Sequence, residues 1–484
     1  NGNGGASTNF TFNLARNDGE QYVGSVKTTL PPGLVGKIPV AERCSPAAAE
    51  SETAACPAGS QIGTATVLAG SGSSPFSFSG PVYLTSSIKG APYGLSIKVP
   101  AVAGPFNFGT VVTVATINVN PTTAQVTVES TLPKIRSGIP LRIRNISVAV
   151  NKSGFMLNPT NCSAFQTVSA VGSFTTLEPG GATASAIASS PFQVANCSAL
   201  KFTPKFTAGS SAKTSRVNGA SLSTTITYVA GQANIKSVKV QLPRNLPSRL
   251  STLQKACTEQ VFAVNPYKCP SGSFVGGATV KTPTLPSPLA GAAILVSHAG
   301  ASFPDLDLVL EEKTSHLRVI LVGNTFIKNG ITTTTFASTP DVPIQSATVS
   351  LPIGAHSALA AFGGLCAKPL VMPTTLTAQN GKTIKQNTII SVNGCGVQIV
   401  GHKVVGKTLF LTVRAPAAGR VSAGGGNLAK VFRRASKARQ LVSLKVPLSG
   451  AGKRHGRPFS VRVRVGFVPK HGHNSIAFTR ATFH

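Results

Sequence analysis

Apolar and polar residues alternate in short runs along almost the whole chain, the period-two pattern of strands with one buried face. The β-branched runs Thr110 to Val119, Ile143 to Val150 and Ser346 to Leu351 are bounded by Pro, Gly and Asn, and each predicts a strand. Near the end Phe459, Val461, Val463, Val465 and Phe467 face a core, and Ser460, Arg462, Arg464 and Gly466 face water. Leu409 to Val413 and Val442 to Val446 alternate in the same way. No stretch of ten residues carries a helical period. Strand runs with Pro-rich connections predict an all-β protein of antiparallel sandwiches rather than a parallel α/β sheet.

The pattern is duplicated. Ser25-Val26-Lys27-Thr28-Thr29-Leu30-Pro31 recurs as Ser237-Val238-Lys239-Val240-Gln241-Leu242-Pro243, displaced by 237 − 25 = 212. Cys44 and Cys56 are 12 apart, as are Cys257 and Cys269, and each second cysteine opens a matching run. Those runs are Cys56-Pro57-Ala58-Gly59-Ser60-Gln61-Ile62-Gly63 and Cys269-Pro270-Ser271-Gly272-Ser273-Phe274-Val275-Gly276. Cys162 maps to Cys366 and Cys197 to Cys395. Pairing both copies alike and keeping each bridge local gives 44 with 56, 162 with 197, 257 with 269 and 366 with 395. Closing a loop of about a dozen residues stabilises by roughly 3 kcal/mol in the chain-entropy account, and disulfides indicate an oxidising, extracellular compartment.

Three units follow: a disulfide-stapled β repeat over 1–199, a second over 200–397, and an immunoglobulin-like sandwich over 398–484 where the cysteines stop. Whether each repeat is one sandwich or two stays open. The strand-like run Leu200 to Phe206 opens the second repeat, and its counterpart would precede residue 1. The first repeat therefore lacks its opening strand; either the chain is cut from a longer array or another chain fills the edge.

Charge changes the picture more than length does. The 484 residues hold 45 Lys and Arg against 13 Asp and Glu, a net +32, while charged residues make up only 12%. The excess comes from missing acids. Residues 398–484 carry 17 Lys and Arg with no Asp or Glu. Arg433, Arg434, Lys437 and Arg439 form one cluster, Lys453, Arg454 and Arg457 another, and Arg462 and Arg464 share a strand face. Such a surface suits an anionic wall polymer, an acidic polysaccharide or the next subunit. Nucleic acid is not expected in a secreted domain with only Phe as stacking platform. No run reaches the 18 or so apolar residues of a membrane helix, so no membrane insertion is expected.

Candidate chemistry is sparse. The chain has no Gly-x-Ser-x-Gly elbow, His-Glu-x-x-His helix, Walker loop or dinucleotide fingerprint, and no carboxylate follows Asp341. The densest acidic cluster is Asp305, Asp307, Glu311 and Glu312, where alternation places Asp305 and Asp307 on the solvated face of a strand. A pocket holding either beside a His would be needed for catalysis. His471-Gly472-His473 reads as an exposed basic loop. No catalytic residue, metal or cofactor is expected.

Leu30-Pro31-Pro32-Gly33-Leu34, Cys56 to Gly63 and Asn158-Pro159-Thr160-Asn161-Cys162 together resemble large repetitive secreted proteins of high-GC Gram-positive bacteria, whose repeats end in an immunoglobulin-like unit. Leu365 to Pro369 departs from the Asn-Pro-Thr form in the second repeat. The resemblance implies a surface role and carries no activity. The expectation is a non-enzymatic structural protein of the cell exterior, self-associating into a fibre, sheath or layer. The alternative is an adhesin or wall-binding protein whose basic domain grips an anionic polymer.

Overall fold

The computed structural model describes residues 2–163, 166–176, 183–363, 365, 369–393, 395–437, 440–456, 458–470 and 474–484. It is nearly all β. Ten strands build the main sheet of the first repeat: β1 (Phe10–Ala15), β2 (Tyr22–Thr29), β3 (Gln61–Ala69), β4 (Phe76–Thr85), β5 (Tyr93–Ala103), β6 (Phe106–Val119), β7 (Val126–Thr131), β8 (Ile143–Val150), β9 (Gln166–Thr175) and β10 (Thr183–Phe192). Their order is β10-β9-β2-β7-β6-β5-β4-β3-β8-β1, antiparallel throughout.

The second repeat supplies β11 (Lys205–Ser211), β12 (Leu222–Thr227), β13 (Ile235–Gln241), β14 (Phe274–Lys281), β15 (Leu289–Ser297), β16 (Asp305–Glu312), β17 (Arg318–Lys328), β18 (Ile331–Phe336), β19 (Ser346–Leu351), β20 (Leu370–Ala378) and β21 (Thr383–Asn393). Their order, β21-β20-β13-β18-β17-β16-β15-β14-β19-β12, repeats that of the first sheet strand for strand. The difference is β11, which pairs antiparallel with β12 and parallel with β21. It joins the two edges, so this sheet closes into a ring of eleven strands. The opening strand runs from Lys205, not from Leu200 as its sequence suggested. In the first repeat, β1 and β10 are the sheet edges among the described residues. Each repeat is thus built on a single sheet that curves around its own apolar interior.

The repeated Cys-Pro-x-Gly-Ser run has a local cause. The hydroxyls of Ser60 and Ser273 donate to the carbonyls of Pro57 and Pro270 at 2.6 and 2.7 Å, fixing a tight turn before β3 and β14. The run ends on Gly63 and Gly276, each beside a register shift with the neighbouring strand. A Cβ there would run into the carbonyl oxygen of Ala149 or Ser350. Only glycine admits so close an approach of two backbones.

The two repeats share one hydrophobic core, which extends from Leu30 to Ile390. Asp341 ties them together. Its carboxylate accepts from the Thr160 amide (2.7 Å), the Thr160 hydroxyl (2.6 Å), the Asn161 amide (2.9 Å) and the Asn234 side-chain amide (2.8 Å). The Asn234 amide in turn donates to the Thr160 hydroxyl oxygen at 2.9 Å. Gly33, with φ +85°, lies so close that a Cβ would stand 2.7 Å from the Pro159 side chain and 2.9 Å from that of Asp341. The Leu-Pro-Pro-Gly-Leu and Asn-Pro-Thr-Asn-Cys motifs therefore meet at the junction. Backbone bonds from Ile38 to Thr284 (3.0 Å) and from Ile320 to Pro121 (2.7 Å) complete it.

Inside, Tyr93, Leu95, Ile97, Val99, Ala101 and Ala103 of β5 and Leu306, Leu308 and Leu310 of β16 face one continuous apolar cavity of about 1160 Å³. A barrel of about eight strands is filled by its own side chains, and width grows with strand number. Sheets of ten and eleven strands enclose more space than these small side chains fill.

The third domain is a separate sandwich with its own core, built around Leu409, Leu411, Val421, Leu444, Val463 and Phe467. One sheet is β22 (Gln398–Val405), β23 (Thr408–Arg414) and β26 (Leu441–Pro447). The other is ordered β25-β24-β27-β28, from β24 (Gly419–Gly425), β25 (Leu428–Ala435), β27 (Phe459–Pro469) and β28 (Ser475–Phe483). Phe459 is only half-buried, stacked between His455 and Phe483. Among the described residues no helix is long and apolar enough to cross a membrane.

Asp341→Ala leaves four donors facing a buried hole, and should lower the stability of the repeats by about 3 kcal/mol, with Asp341→Asn costing less. Urea unfolding of the two variants measures this; a loss below about 1 kcal/mol for Asp341→Ala would show that the junction is held elsewhere.

Candidate functional site

Strand alternation in the third domain puts Val421, Val463 and Val465 into the core and their neighbours on the outer face of the four-stranded sheet. Register then assembles that face. Arg420 of β24 lies directly opposite Arg434 of β25, and Arg462 of β27 directly opposite Arg480 of β28. Lys430 and Arg464 extend the same face, and all six cations are exposed. Between them lie two phenylalanines. Arg420 and Lys430 approach the Phe432 ring at 5.2 and 5.4 Å, and Arg462 sits 4.1 Å from the Phe478 ring centroid. Like charges directly across a ladder repel. With no Asp or Glu in 398–484, no side chain of this domain offsets them.

Of the basic residues expected from sequence, Arg434, Arg462 and Arg464 come together here. Arg433 is in register with Val421 and so belongs to the opposite side of the edge strand β25. Lys437 lies beyond one end of β25. Lys453 and Arg454 follow β26 on a short turn of helix packed on Asn427, at the other end. Arg439, Arg457 and His471-Gly472-His473 lie outside the described residues. Sequence reasoning missed Arg420, Lys430 and Arg480, although Lys430-Val431-Phe432-Arg433-Arg434 already sets a cation, an aromatic and a cation at every second position.

Disulfides join Cys44 to Cys56, Cys162 to Cys197 and Cys257 to Cys269. Cys395 is also disulfide-bonded, and Cys366 lies outside the described residues. The loops within the first and third bridges cover the outside of the two sheets. In the first repeat the Lys98 ammonium donates to the carbonyls of Ala48, Ser51 and Ala54 at 2.6 to 2.8 Å, and burial pulls its pKa down.

The corresponding cover in the second repeat overturns the solvated reading of Asp305 and Asp307. Both point outward from β16, yet Cys257, Phe262 and Cys269 of the loop pack on Ile294, Val296 and Val309 beside them, and both carboxylates are buried. Asp305 accepts from the Asn324 side chain and the Thr325 amide at 2.8 and 2.9 Å. Asp307 stands 3.4 Å from His298 Nε2, and His298 Nδ1 stands 3.5 Å from Glu259. Burial pushes the Asp307 carboxyl up to about 6, against the opposing pull of His298. The three residues form a chain on the outer wall and do not line the apolar cavity. Glu312, also buried, accepts from the Ser315 amide and hydroxyl and the Thr314 amide. Among the described residues no group of three His, Cys, Asp or Glu is placed to hold a metal ion.

No family model matches the chain, and no curated protein matches it. Among solved structures it is similar to a tetra-tandem repeat in the extending region of a large adhesion protein, with 12% identity, 88% of this chain and 92% of that one covered, and a TM-score of 0.18. The BSP domain of a biofilm-associated protein shares 8% identity over 98% of this chain and 77% of that one, with a TM-score of 0.14. Escherichia coli alpha-2-macroglobulin activated by porcine elastase shares 10% over 99% and 43%, with a TM-score of 0.15. At these TM-scores the likenesses carry no argument about this chain.

The Asp307 carboxyl keeps its proton to about pH 6 in the fold, against an ordinary value of 3.8 for an aspartate in water. Its contribution to stability is therefore complete below pH 3.8 and lost as pH rises through about 6. Asp307→Asn removes that dependence. Relative to the parent, the variant should gain on the order of 2 kcal/mol between pH 4 and pH 7.5, read from denaturant unfolding at the two pH values. An unchanged difference would show that the fold does not raise the Asp307 carboxyl above its ordinary value.

Proposed function

We propose that this chain is a non-enzymatic protein of the cell exterior that attaches through the outer face of its third domain to an anionic polymer, a phosphate-bearing wall polymer or an acidic polysaccharide. One observation carries the reading: two directly opposed Arg pairs, Arg420 with Arg434 and Arg462 with Arg480, on a face with no acid in its domain. Such pairs cost stability in the free protein and are relieved by an anionic partner. Phe432 and Phe478 hold the guanidinium groups against the sheet, which lowers the entropy lost on binding. Disulfides in both repeats support the exterior location.

A second reading, assembly into a fibre or layer, rests on β1 and β10. The second repeat places β11 between the equivalent strands β12 and β21. A strand from another copy fits the same position by edge addition. Its binding would depend on backbone hydrogen bonds and hardly at all on salt.

Retention on immobilised wall teichoic acid and on heparin should fall steeply between 50 and 500 mM NaCl, about the behaviour expected of several phosphate or sulfate contacts. The combined change R420A/R434A/R462A/R480A should abolish retention at 150 mM NaCl, about physiological strength. Retention that survives in the quadruple variant would remove this face from the proposal. Negative-stain microscopy at low and high salt decides the second reading: salt-resistant fibres or sheets support it, and isolated particles at both salts refute it.

A further inference from the structure

The apolar cavity is not explained by attachment to a polymer. We infer that it is a binding site for the long acyl chain of an anionic amphiphile, with the chain inside the repeats and the head group at the free end of the first repeat. This goes beyond the proposed function and does not depend on it.

The lining states the chemistry. Val, Leu, Ile, Ala and Phe side chains dominate it, the polar contribution comes from scattered Thr hydroxyls, Ser130 and Tyr93, and Arg136 is the one charged side chain among the described lining residues. Water needs two to four polar partners to be held in a buried site, which this wall does not offer. Left empty, the space would deprive both sheets of packing partners, whereas natural interiors contain few voids larger than a water molecule. A flexible alkyl chain fills an elongated apolar space without asking for hydrogen bonds. An ionised head group cannot follow it in, because nothing inside would pair with it.

The end of the first repeat away from the junction is built to receive that head group. The tips joining β3 to β4 and β5 to β6 lie there, and Phe76 and Phe106 on them line the cavity while remaining 60% and 63% exposed. Ile139, on the short hairpin between β7 and β8, also lines it and is 47% exposed. Large apolar residues exposed together around an opening mark a contact with something apolar. Arg16, Lys134, Arg136, Arg142 and Arg144 lie at or beyond the strand ends on that side; Arg136 is paired with Glu52 and Arg144 stands 3.9 Å from Asp18, which leaves cations in excess there. Arg16 and Arg142 flank the Tyr22 ring at 5.8 and 6.0 Å. At the other end, Leu246 and Leu359 are buried beneath residues 242–256 and 357–361, which bond to each other through Arg249 to Ala358 and Ala360 to Pro247. The cavity therefore opens toward positive charge and is covered where it ends.

The test uses the full chain, stripped of lipid by organic extraction, titrated with cis-parinaric acid and read by fluorescence. Saturable emission is expected, displaced by oleate, by dioleoylphosphatidylglycerol vesicles, or by both; which one competes identifies a free fatty acid or a glycerolipid as the source. Ala101→Trp and Thr113→Trp, each placing a large ring on the inner wall, should weaken binding at least tenfold, while Ser443→Ala, exposed on the third domain and outside its basic face, leaves it unchanged. If neither filled variant folds, Phe76→Ser and Phe106→Ser decide, since both positions are exposed: uptake from the vesicles should slow at least fivefold. No saturable emission with the parent chain, equal binding by folded filled variants, or unchanged uptake by the exposed variants where these decide, overturns the inference.

Discussion

The arrangement of the repeats depends on one saturated carboxylate. Asp341 of the second repeat collects two backbone amides, a hydroxyl and a side-chain amide, most of them from the Thr160-Asn161 pair of the first. Burial drives its carboxyl upward, and the donors from Thr160, Asn234 and Asn161 pull the other way. A group so placed is costly to leave half-satisfied, so the contact specifies a single relative placement of the two sheets. The close approach at Gly33 adds a steric condition to the electrostatic one. Because the sheets meet end on end in that placement, their interiors join and one core serves both.

That continuity explains why the outer surface needs cover. A sheet folded around its own apolar face would ordinarily show its other face to water. Here the disulfide loops lie over part of it, burying Cys44 and Ala49 in the first repeat and Cys257 and Phe262 in the second. Under the loops, single charges serve as anchors: Lys98 gathers three loop carbonyls, and Asp307 reaches His298 and through it Glu259. The staples thus hold a second layer on the outside of a wall whose inside is left unfilled.

Much of this was legible in the chain. The period-two alternation, the displacement of 212 and the paired cysteine spacings disclose two related β units and a third without cysteines. Ring closure was not legible, because alternation separates two faces of a strand without saying how far the sheet curves or which edges meet. Asp305 and Asp307 were placed on the correct side of their strand and in the wrong environment, since the loop that covers them comes from residues 257–269. The basic face was legible only in part. Arg462 and Arg464 stand out beside apolar neighbours, but Arg420 and Arg480 become members only through the registers that set them opposite Arg434 and Arg462.

The placement of the few acids gives the charge imbalance its physical meaning. Of the 13 carboxylate side chains, Asp305, Asp307, Glu312 and Asp341 are buried at structural positions. Others are held by partners in the repeats, Glu52 by Arg136 and Glu311 by Arg318 and His316. Carboxylates fixed in this way serve the fold and cannot neutralise a distant surface, since exposed charges separated by more than about 8 to 10 Å are screened from one another at physiological salt. The third domain, without any acid of its own, therefore keeps its full field. The repeats use their acids to set geometry and still hold 28 Lys and Arg against those 13, whereas the 17 of the third domain stand without a single acid.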